Sequence, residues 1–559
     1  MSSFMPENVH SRHALLFLFN QKKKAAESHR FLVETYGKHA PTLKTCETWF
    51  RKFKSGDFDL QDKKRSGRPK KFEDAKLQEL FDEDPTQTQK QLARALNAAQ
   101  ETISDRLRAM GKIQKIGRSV PHQLSGTPVP PRKATKRTAQ VPPTGQKKTK
   151  QLRGKLDLKL KPNLRQSNTG GYILAFGQGD VGQLGLGEDV IEKIRPATIP
   201  GYQDIVTVAA GGMHNVCLRQ TGEVITFGCN DEGALGRDTS KEGSETVPGC
   251  VDLPAKAIQV TAGDSHSAAL LEDGRVFAWG SFRDSHGTMG LTLKGNERLP
   301  IELLPNVKIV KVASGADHLV LLSESGNVYT CGCGEQGQLG RMAARTASRN
   351  SRHGIGPLLT PGIVEFKITK KLEFNDIWAG TYCTFLKEYS KGDIYVFGLN
   401  NYYQIGLNEP STHFHPQVSK TFSGKVWRHI SSGQHHTIAL DDVGQVFVMG
   451  RKEYGRLGLG PNCSDAKELT LVSALSSMKC IDIAAGSAQS FAVTELGDLY
   501  AWGMGTSGQL GTGAEEDVEE PQLVKGKQLE GKSIIQVSGG GQHTLILAIP
   551  RPIKDKTAG

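Results

Sequence analysis

The chain has 559 residues, 37% hydrophobic and 23% charged, which is enough for a sizeable core and excludes wholesale disorder. Its 63 glycines and 7% aromatics point to tight turns between many short strands, and no apolar run approaches the ~18 residues of a membrane-spanning helix. Nine scattered cysteines without a CxxC pair exclude a disulfide framework or a zinc finger and suit a reducing compartment, while the longest apolar run near the N-terminus, residues 14–19, is too short for a secretory signal.

The charge is unevenly placed. Of the net +13, residues 1–170 hold +20, with +11 in residues 131–170 alone, and the remainder of the chain holds −7. A basic arm ahead of a mildly acidic body suits a polyanionic partner such as nucleic acid; a solvated basic linker is the alternative.

Residues 8–60 predict three helices, with apolar positions Leu15, Leu18 and Phe19, then Ala26, Phe31 and Val33, then Trp49, Phe50 and Phe53. The third starts at Thr42, after Pro41, and ends near Gly56; its exposed face carries Lys44, Thr45, Lys52 and Lys54, as a helix lying in a DNA major groove would. A second trio is expected over residues 72–118. Its reader, QETISDRLRAMGK, offers Ser104, Arg106 and Arg108 to bases or phosphates. Between them lies KKRSGRPKK (63–71), in which Arg65, Gly67 and Arg68 form an AT-hook-like segment suited to a narrow minor groove. Each trio alone reads equally well as an ordinary helical bundle; their order around a basic hook is the more specific signal.

That order, with the phrases AAESHRFLVETYG, TCETWFRKFKSGDFDLQDKKRSGRPKKF and VPHQL, resembles the paired DNA-binding region of mariner-type transposases over about residues 8–124. The resemblance implies DNA as a partner. In that family a catalytic domain with three metal-binding carboxylates follows this point. Here the sequence turns into a Pro- and Lys-rich linker, residues 125–170, so transposition is not expected. Ser119 also stands where the family has Trp. The linker's basic pairs Arg132–Lys133, Lys136–Arg137 and Lys147–Lys148 read as nuclear import signals, hence import receptors as partners, and as tethers to DNA.

From residue 171 two half-repeats alternate. One ends a strand in an apolar-Gly step and continues through a Gly-rich turn, with leading glycines Gly177, Gly228, Gly280, Gly332, Gly398, Gly450 and Gly503, spaced 51, 52, 52, 66, 52 and 53 residues apart. The other is G-x-x-H or its variant, beginning at Gly211, Gly263, Gly315, Gly380, Gly433, Gly486 and Gly540. A period near 52 with several short β-runs predicts propeller blades of four antiparallel strands, and seven of each half predict seven blades over residues 171–550. The chain is thus expected to be multidomain, with small all-α helix-turn-helix modules followed by an all-β seven-bladed propeller. Residues 172–187 and 534–549 are unpaired halves that together complete one blade, closing the ring and hiding its sheet edges. The spacing of 66 marks an insertion with Arg341, Arg345, Arg349 and Arg352, expected as a surface loop.

Three stretches match G-x-G-x-x-G (177–182, 332–337, 503–508), all at one phase of the repeat, and GKQLEGKS (526–533) matches the P-loop string. None precedes a predicted helix, so all four read as blade turns. The in-phase histidines His214, His266, His318, His436 and His543 sit on separate blades, which excludes one metal cluster and favours structural roles.

The phrases GDVGQLGLGE, GDSHSAALLEDGRVFAWGSFRD, CGCGEQGQLGR, SGQHHT and AWGMGTSGQLGTG resemble the regulator-of-chromosome-condensation family of guanine-nucleotide exchange factors for the small GTPase Ran. The resemblance implies exchange without covalent chemistry or cofactor, on chromatin in the nucleus, with Ran and the nucleosome's histones as partners. It implies a wedge at Gly280, Ser281, Phe282, Arg283, Asp284, Ser285, His286 and Gly287, with Phe282 supplying bulk. Asp317 and His435 would be the polar groups that act in exchange, with Asp180, His214, Asp264, Arg341 and His543 on the same face, and Arg349 and Arg352 would grip the nucleosome's acidic patch. The alternatives are a propeller that is only an interaction platform, or a sequence-specific DNA-binding protein without exchange activity.

Overall fold

In each repeat an alternating apolar run is cut by glycines, and the cuts become strand ends. In the second blade the strands Ile205–Ala210, His214–Arg219, Val224–Gly228 and Gly249–Val251 pair in that order. Five further four-stranded sheets follow, and the seventh mixes both ends of the chain: Lys532–Gly539, His543–Pro550, Tyr172–Gln178 and Glu192–Thr198. In this closing blade, counted as the first, Tyr172 lies opposite Ala548 and Gly177 opposite His543, so the two unpaired half-repeats form the expected joint. The first strand of each blade packs against its counterparts on both sides and lines a central channel. The structure, a computed structural model, describes residues 14–16, 18–19, 23–36, 40–54, 112–115, 118–121, 158–159, 170–366 and 372–551. The protein divides into two compact units, Met1–Lys147 and Lys148–Gly559.

Two repeated glycines are dictated by close approach. Gly177 has φ +105°, and a Cβ there would lie 2.4 Å from the Gln542 carbonyl oxygen of the adjoining turn. Gly211 faces the next blade: a Cβ would lie 2.4 Å from the Gly263 oxygen and 2.6 Å from His214.

The repeated histidines are ties between blades. His214 Nε2 meets Ser267 Oγ at 2.8 Å, His318 meets Thr384 Oγ1 at 3.0 Å, His436 meets Ser490 Oγ at 2.9 Å, and His543 meets Asn215 Oδ1 at 2.8 Å across the closure. His266 reaches Ser314 Oγ at 3.1 Å. Cys383 and Gln489, the two departures from the pattern, do the same work: Cys383 Sγ meets Ser432 Oγ at 3.4 Å, and Gln489 Nε2 donates to the Gly540 oxygen at 3.0 Å. Burial holds His214 down to about 4 and His266, His318, His436 and His543 to about 3, so these rings are neutral at pH 7. Apolar side chains fill the space between blades. Trp279, Trp502, Phe176 and Phe385 are fully buried, each contributing about 1.5–3 kcal/mol by area.

The P-loop-like string is followed by the strand Lys532–Gly539 and not by a helix, so it is a blade connection. The nine cysteines are all free thiols. The linker is docked at one described point, where the Leu158 amide donates to the Glu324 oxygen at 3.0 Å and its side chain joins the apolar cluster around Phe374 and Leu386.

In the N-terminal unit the helices Ala25–Tyr36 and Leu43–Lys54 pack together with helical residues 14–16 and 18–19. Thr42 caps the second helix, its Oγ1 accepting from the Thr45 amide at 3.3 Å. Leu15, Leu18, Cys46, Phe50 and Phe53 are buried, but Phe31 is 55% and Val33 42% exposed. Among the described side chains of that helix, Ser28 and Leu32 are the buried ones, so Leu32 and not Phe31 or Val33 supplies the apolar contact. Lys112–Lys115 pairs with Arg118–Pro121 as an antiparallel hairpin, which the helical pattern around it does not predict.

Candidate functional site

Strand direction places the site. In every blade the end of the third strand lies opposite the start of the second, as in Gly228 with His214, Gly280 with His266, Gly332 with His318 and Gly450 with His436. The G-x-x-H turns and the Gly-rich turns therefore share one face of the disc, here called the rim face. Asp317 and His435 both stand in such turns, each one residue ahead of an inter-blade tie.

Blade three carries on this face the hairpin Phe282–Asp284 with Gly287–Gly290. Its root is internal: Phe282 is fully buried, its ring 4.6 Å from that of His266, and the buried Ser281 hydroxyl accepts from the Gly290 amide at 3.1 Å. Its tip is braced from three sides. The Arg283 amide donates to Asp317 Oδ1 at 2.7 Å. Thr288 Oγ1 donates to Glu232 at 2.6 Å, and the Arg283 guanidinium reaches the same carboxylate at 3.2 Å. Ser285 donates to Glu335 from its amide (3.0 Å) and its hydroxyl (2.8 Å). Arg349 of the insertion forks onto both oxygens of Asp284 and onto the Gly287 oxygen, and Asn350 meets His286 at 2.9 Å. Arg283, Ser285 and His286 remain exposed.

Asp317 is half-buried, and burial pushes its carboxyl up to about 7; the nearby Asp264 charge adds to this, while the Arg283 amide and guanidinium oppose it. Asp264 lines the channel mouth, accessible to solvent yet recessed, which raises its carboxyl; Arg283 lowers it. Asp180 is exposed and accepts from Gln183 at 2.9 Å. His435 stands on blade six with its ring 5.2 Å from that of Tyr402, over which Arg451 stacks at 4.9 Å. Burial lowers its pKa, and the charges of Arg456 and Arg451 lower it further.

Several expectations are corrected. His214 and His543 lie on the rim side but are buried and tied to neighbouring blades, so they cannot face a partner. Phe282 and Ser281 root the hairpin, and Gly280 (φ +95°) forms its buried bend beneath them, so Phe282 presents no bulk outward. The Arg341 guanidinium donates to the oxygens of Thr330, Pro357 and Thr360, organising the insertion as Arg237 organises the blade-two turn. Arg349 is taken up by Asp284, whereas Arg352 is exposed. Glu232, Glu335, Asn350, Tyr402 and Arg451 are site residues that the sequence pattern does not single out; Glu335 is legible in principle, since it occupies in GCGEQG the phase of Asp180 in GQGDVG.

Asp284, His286 and Glu335 are the one group of metal-type donors brought together among the described residues, within 4.8 Å. Arg349 and Ser285 already occupy their carboxylates, so the trio braces the hairpin. In the N-terminal helix Lys44, Thr45 and Lys54 are exposed, and Lys52 lies over the Trp49 ring at 4.3 Å. Arg65, Gly67, Arg68, Ser104, Arg106 and Arg108 lie outside the described residues.

A profile of the RCC1-like domain matches residues 172–546, and one of the HTH domain in Mos1 transposase matches residues 8–57. The regulator of chromosome condensation of Xenopus laevis is 50% identical over 387 residues, 68% of this chain and 91% of that protein. The Mariner Mos1 transposase of Drosophila mauritiana is 56% identical over 135 residues, 24% of this chain and 39% of that protein's length. Among solved structures, Prp20p of Saccharomyces cerevisiae, described with its binding properties to Gsp1p and histones, superposes with a TM-score of 0.63 at 28% identity, covering 70% of this chain and 94% of that one. A second structure, of Kap60 bound to yeast RCC1 (Prp20), gives a TM-score of 0.65 at 27% identity over 75% of this chain and 98% of that one.

Proposed function

The chain belongs to the RCC1-like propeller family, joined in one polypeptide to a helix-turn-helix domain of the Mos1 transposase kind, and from that premise we propose that it is a chromatin-associated guanine-nucleotide exchange factor for the small GTPase Ran, anchored on DNA by the N-terminal module. Exchange needs no bond chemistry. The factor binds the nucleotide-free GTPase more tightly than the loaded one and so lowers the barrier to release. A nucleotide held at nanomolar affinity represents about 12 kcal/mol to offset. That calls for a broad docking face together with a rigid element pressed toward the phosphate site.

The observation that carries the reading is the bond from the Arg283 amide to Asp317, because it fixes a projecting hairpin on a face shared by blades two, three and four. Asp317 and Glu232 hold the hairpin's backbone and flank, leaving Arg283, Ser285 and His286 to meet the GTPase. His435 supplies a neutral imidazole from across the rim. Histones and import receptors are expected as partners by likeness to the yeast protein, and the nucleus as location. Lys44, Thr45 and Lys54 suit contacts to DNA phosphates and bases.

The test is release of labelled GDP from Ran by the full chain. Wild type should accelerate it strongly, and Asp317→Ala should be at least about tenfold slower, the loss expected for a hydrogen bond to a charged group. An inert wild type, or an equally fast variant, overturns the reading.

A further inference from the structure

The Gly-rich turns of four blades share an internal brace, and blades two, three and six carry Ala234, Thr288 and Arg456 in place of its glutamine. In those four blades a buried glutamine closes the turn by accepting the amide two residues before it: Gln183 from Val181 (2.9 Å), Gln338 from Gln336 (2.9 Å), Gln404 from Tyr402 (2.9 Å) and Gln509 from Ser507 (2.8 Å). In blade six the same position is Arg456, 2% exposed. An arginine has no acceptor to offer. Its Nε instead donates to the Glu453 oxygen at 2.7 Å, so the 453–454 peptide is turned over relative to the other turns. The turned peptide puts Tyr454 at φ +63°, ψ +14°, whereas Val181, Gln336, Tyr402 and Ser507 all keep negative φ. Carbonyl and amide of a trans peptide point in opposite directions, so with the Glu453 oxygen drawn inward the Tyr454 amide faces out.

The surroundings are rich in positive charge and hold two unsatisfied nitrogens, one on a guanidinium and one on a neutral imidazole. Arg456 Nη1 is buried without a hydrogen-bond partner, as is Nδ1 of His435. One carboxylate, Glu453 at 43% exposure, serves two guanidiniums, at 2.6 Å from Arg451 and 3.9 Å from Arg456. Arg451 lies over Tyr402, and Arg456 under the 42%-exposed Tyr454 at 5.2 Å. A strained tyrosine backbone and a buried guanidinium with one unsatisfied nitrogen both oppose folding, and the repeat's own glutamine would remove both. Strain kept at an exposed rim beside His435 indicates a use there.

We infer that the turn 451–456 is a carboxylate-recognition element of the rim, receiving an acidic side chain of the docked GTPase on the Arg451 guanidinium and the outward Tyr454 amide. Arg456 is its positioning residue: it holds the turned peptide and supplies the second positive charge. The element lies on the opposite side of the rim from the hairpin at 282–290, so it contributes to holding the GTPase and not to opening its nucleotide site. The inference rests on the exchange reading.

Steady-state GDP release from Ran by the full chain carrying Arg456→Gln tests it. The variant should melt higher than wild type, because it restores the brace that four other turns carry. Its KM for the GTPase should rise roughly tenfold and lose part of its salt dependence, with kcat within about twofold of wild type. An unchanged KM, a fall in kcat at unchanged KM, or a lower melting temperature would each overturn it, the last by making Arg456 a structural prop. Failure of the exchange reading is seen separately, as a wild-type chain that releases no GDP.

Discussion

At the scale of single residues, position in the repeat and burial together decide what a side chain can do. Asp317 and His318 are neighbours, yet His318 is locked to Thr384 while Asp317 stays partly open and holds the Arg283 amide. The Asp317 carboxyl is pushed up to about 7, well above its unfolded value. The folded state therefore binds its proton more tightly, and the stability this provides is complete below about pH 4 and lost as pH rises through 7. Asp317→Asn keeps the acceptor and removes the charge. Thermal melts should show the variant more stable than wild type by about 1–2 kcal/mol at pH 8, with the difference vanishing near pH 4. A variant less stable than wild type at pH 8 would mean that the ionised carboxylate is a net support. A stability gain accompanied by slower exchange would mark Asp317 as a group retained for function at a cost to the fold.

At the scale of elements, the hairpin of blade three and the Arg-rich insertion of blade four form one braced unit. The side chain of Asp284 is 1% exposed and is compensated by Arg349. Removing one member of such a buried pair leaves the other charged and unsolvated. Arg349→Ala should loosen the hairpin and lower kcat for GDP release about ten- to a hundredfold, the scale on which misplacing a contact acts. Unchanged exchange combined with weakened nucleosome binding would return Arg349 to the role that the family resemblance implies. Arg352, exposed on the same insertion with its Nε donating to His353, presents its guanidinium to solvent, where an acidic surface can meet it.

At the scale of the whole molecule, topology places the start of the first propeller strand and the Leu158 contact on the face opposite the rim. The strand Tyr172–Gln178 runs toward the rim face, so its start lies on the opposite face; Leu158 docks on that opposite face too, at the turn containing Glu324. The Leu158 contact thus lies on the side of the propeller away from the hairpin and His435. Deleting residues 1–124 should leave GDP release in solution unchanged while releasing the protein from chromatin in a fractionation experiment. Undiminished retention would show that the linker or the propeller does the anchoring.

The sequence by itself determined the architecture: glycine phase, strand alternation and the two unpaired half-repeats are local signals, and they specify seven blades and a closure between the chain ends. It also determined which turns share the rim face, because antiparallel pairing fixes the side on which each turn falls. It did not determine which residues in those turns are free. His214 and His435 are both rim histidines within G-x-x-H segments, and only packing distinguishes the one tied to Ser267 from the one standing beside Tyr402. Likewise the fork of Arg349 onto Asp284 joins segments 65 residues apart, and the turned peptide beside Arg456 follows from which donors and acceptors meet inside one turn. Such partnerships depend on distance and desolvation in three dimensions, and a linear pattern carries neither.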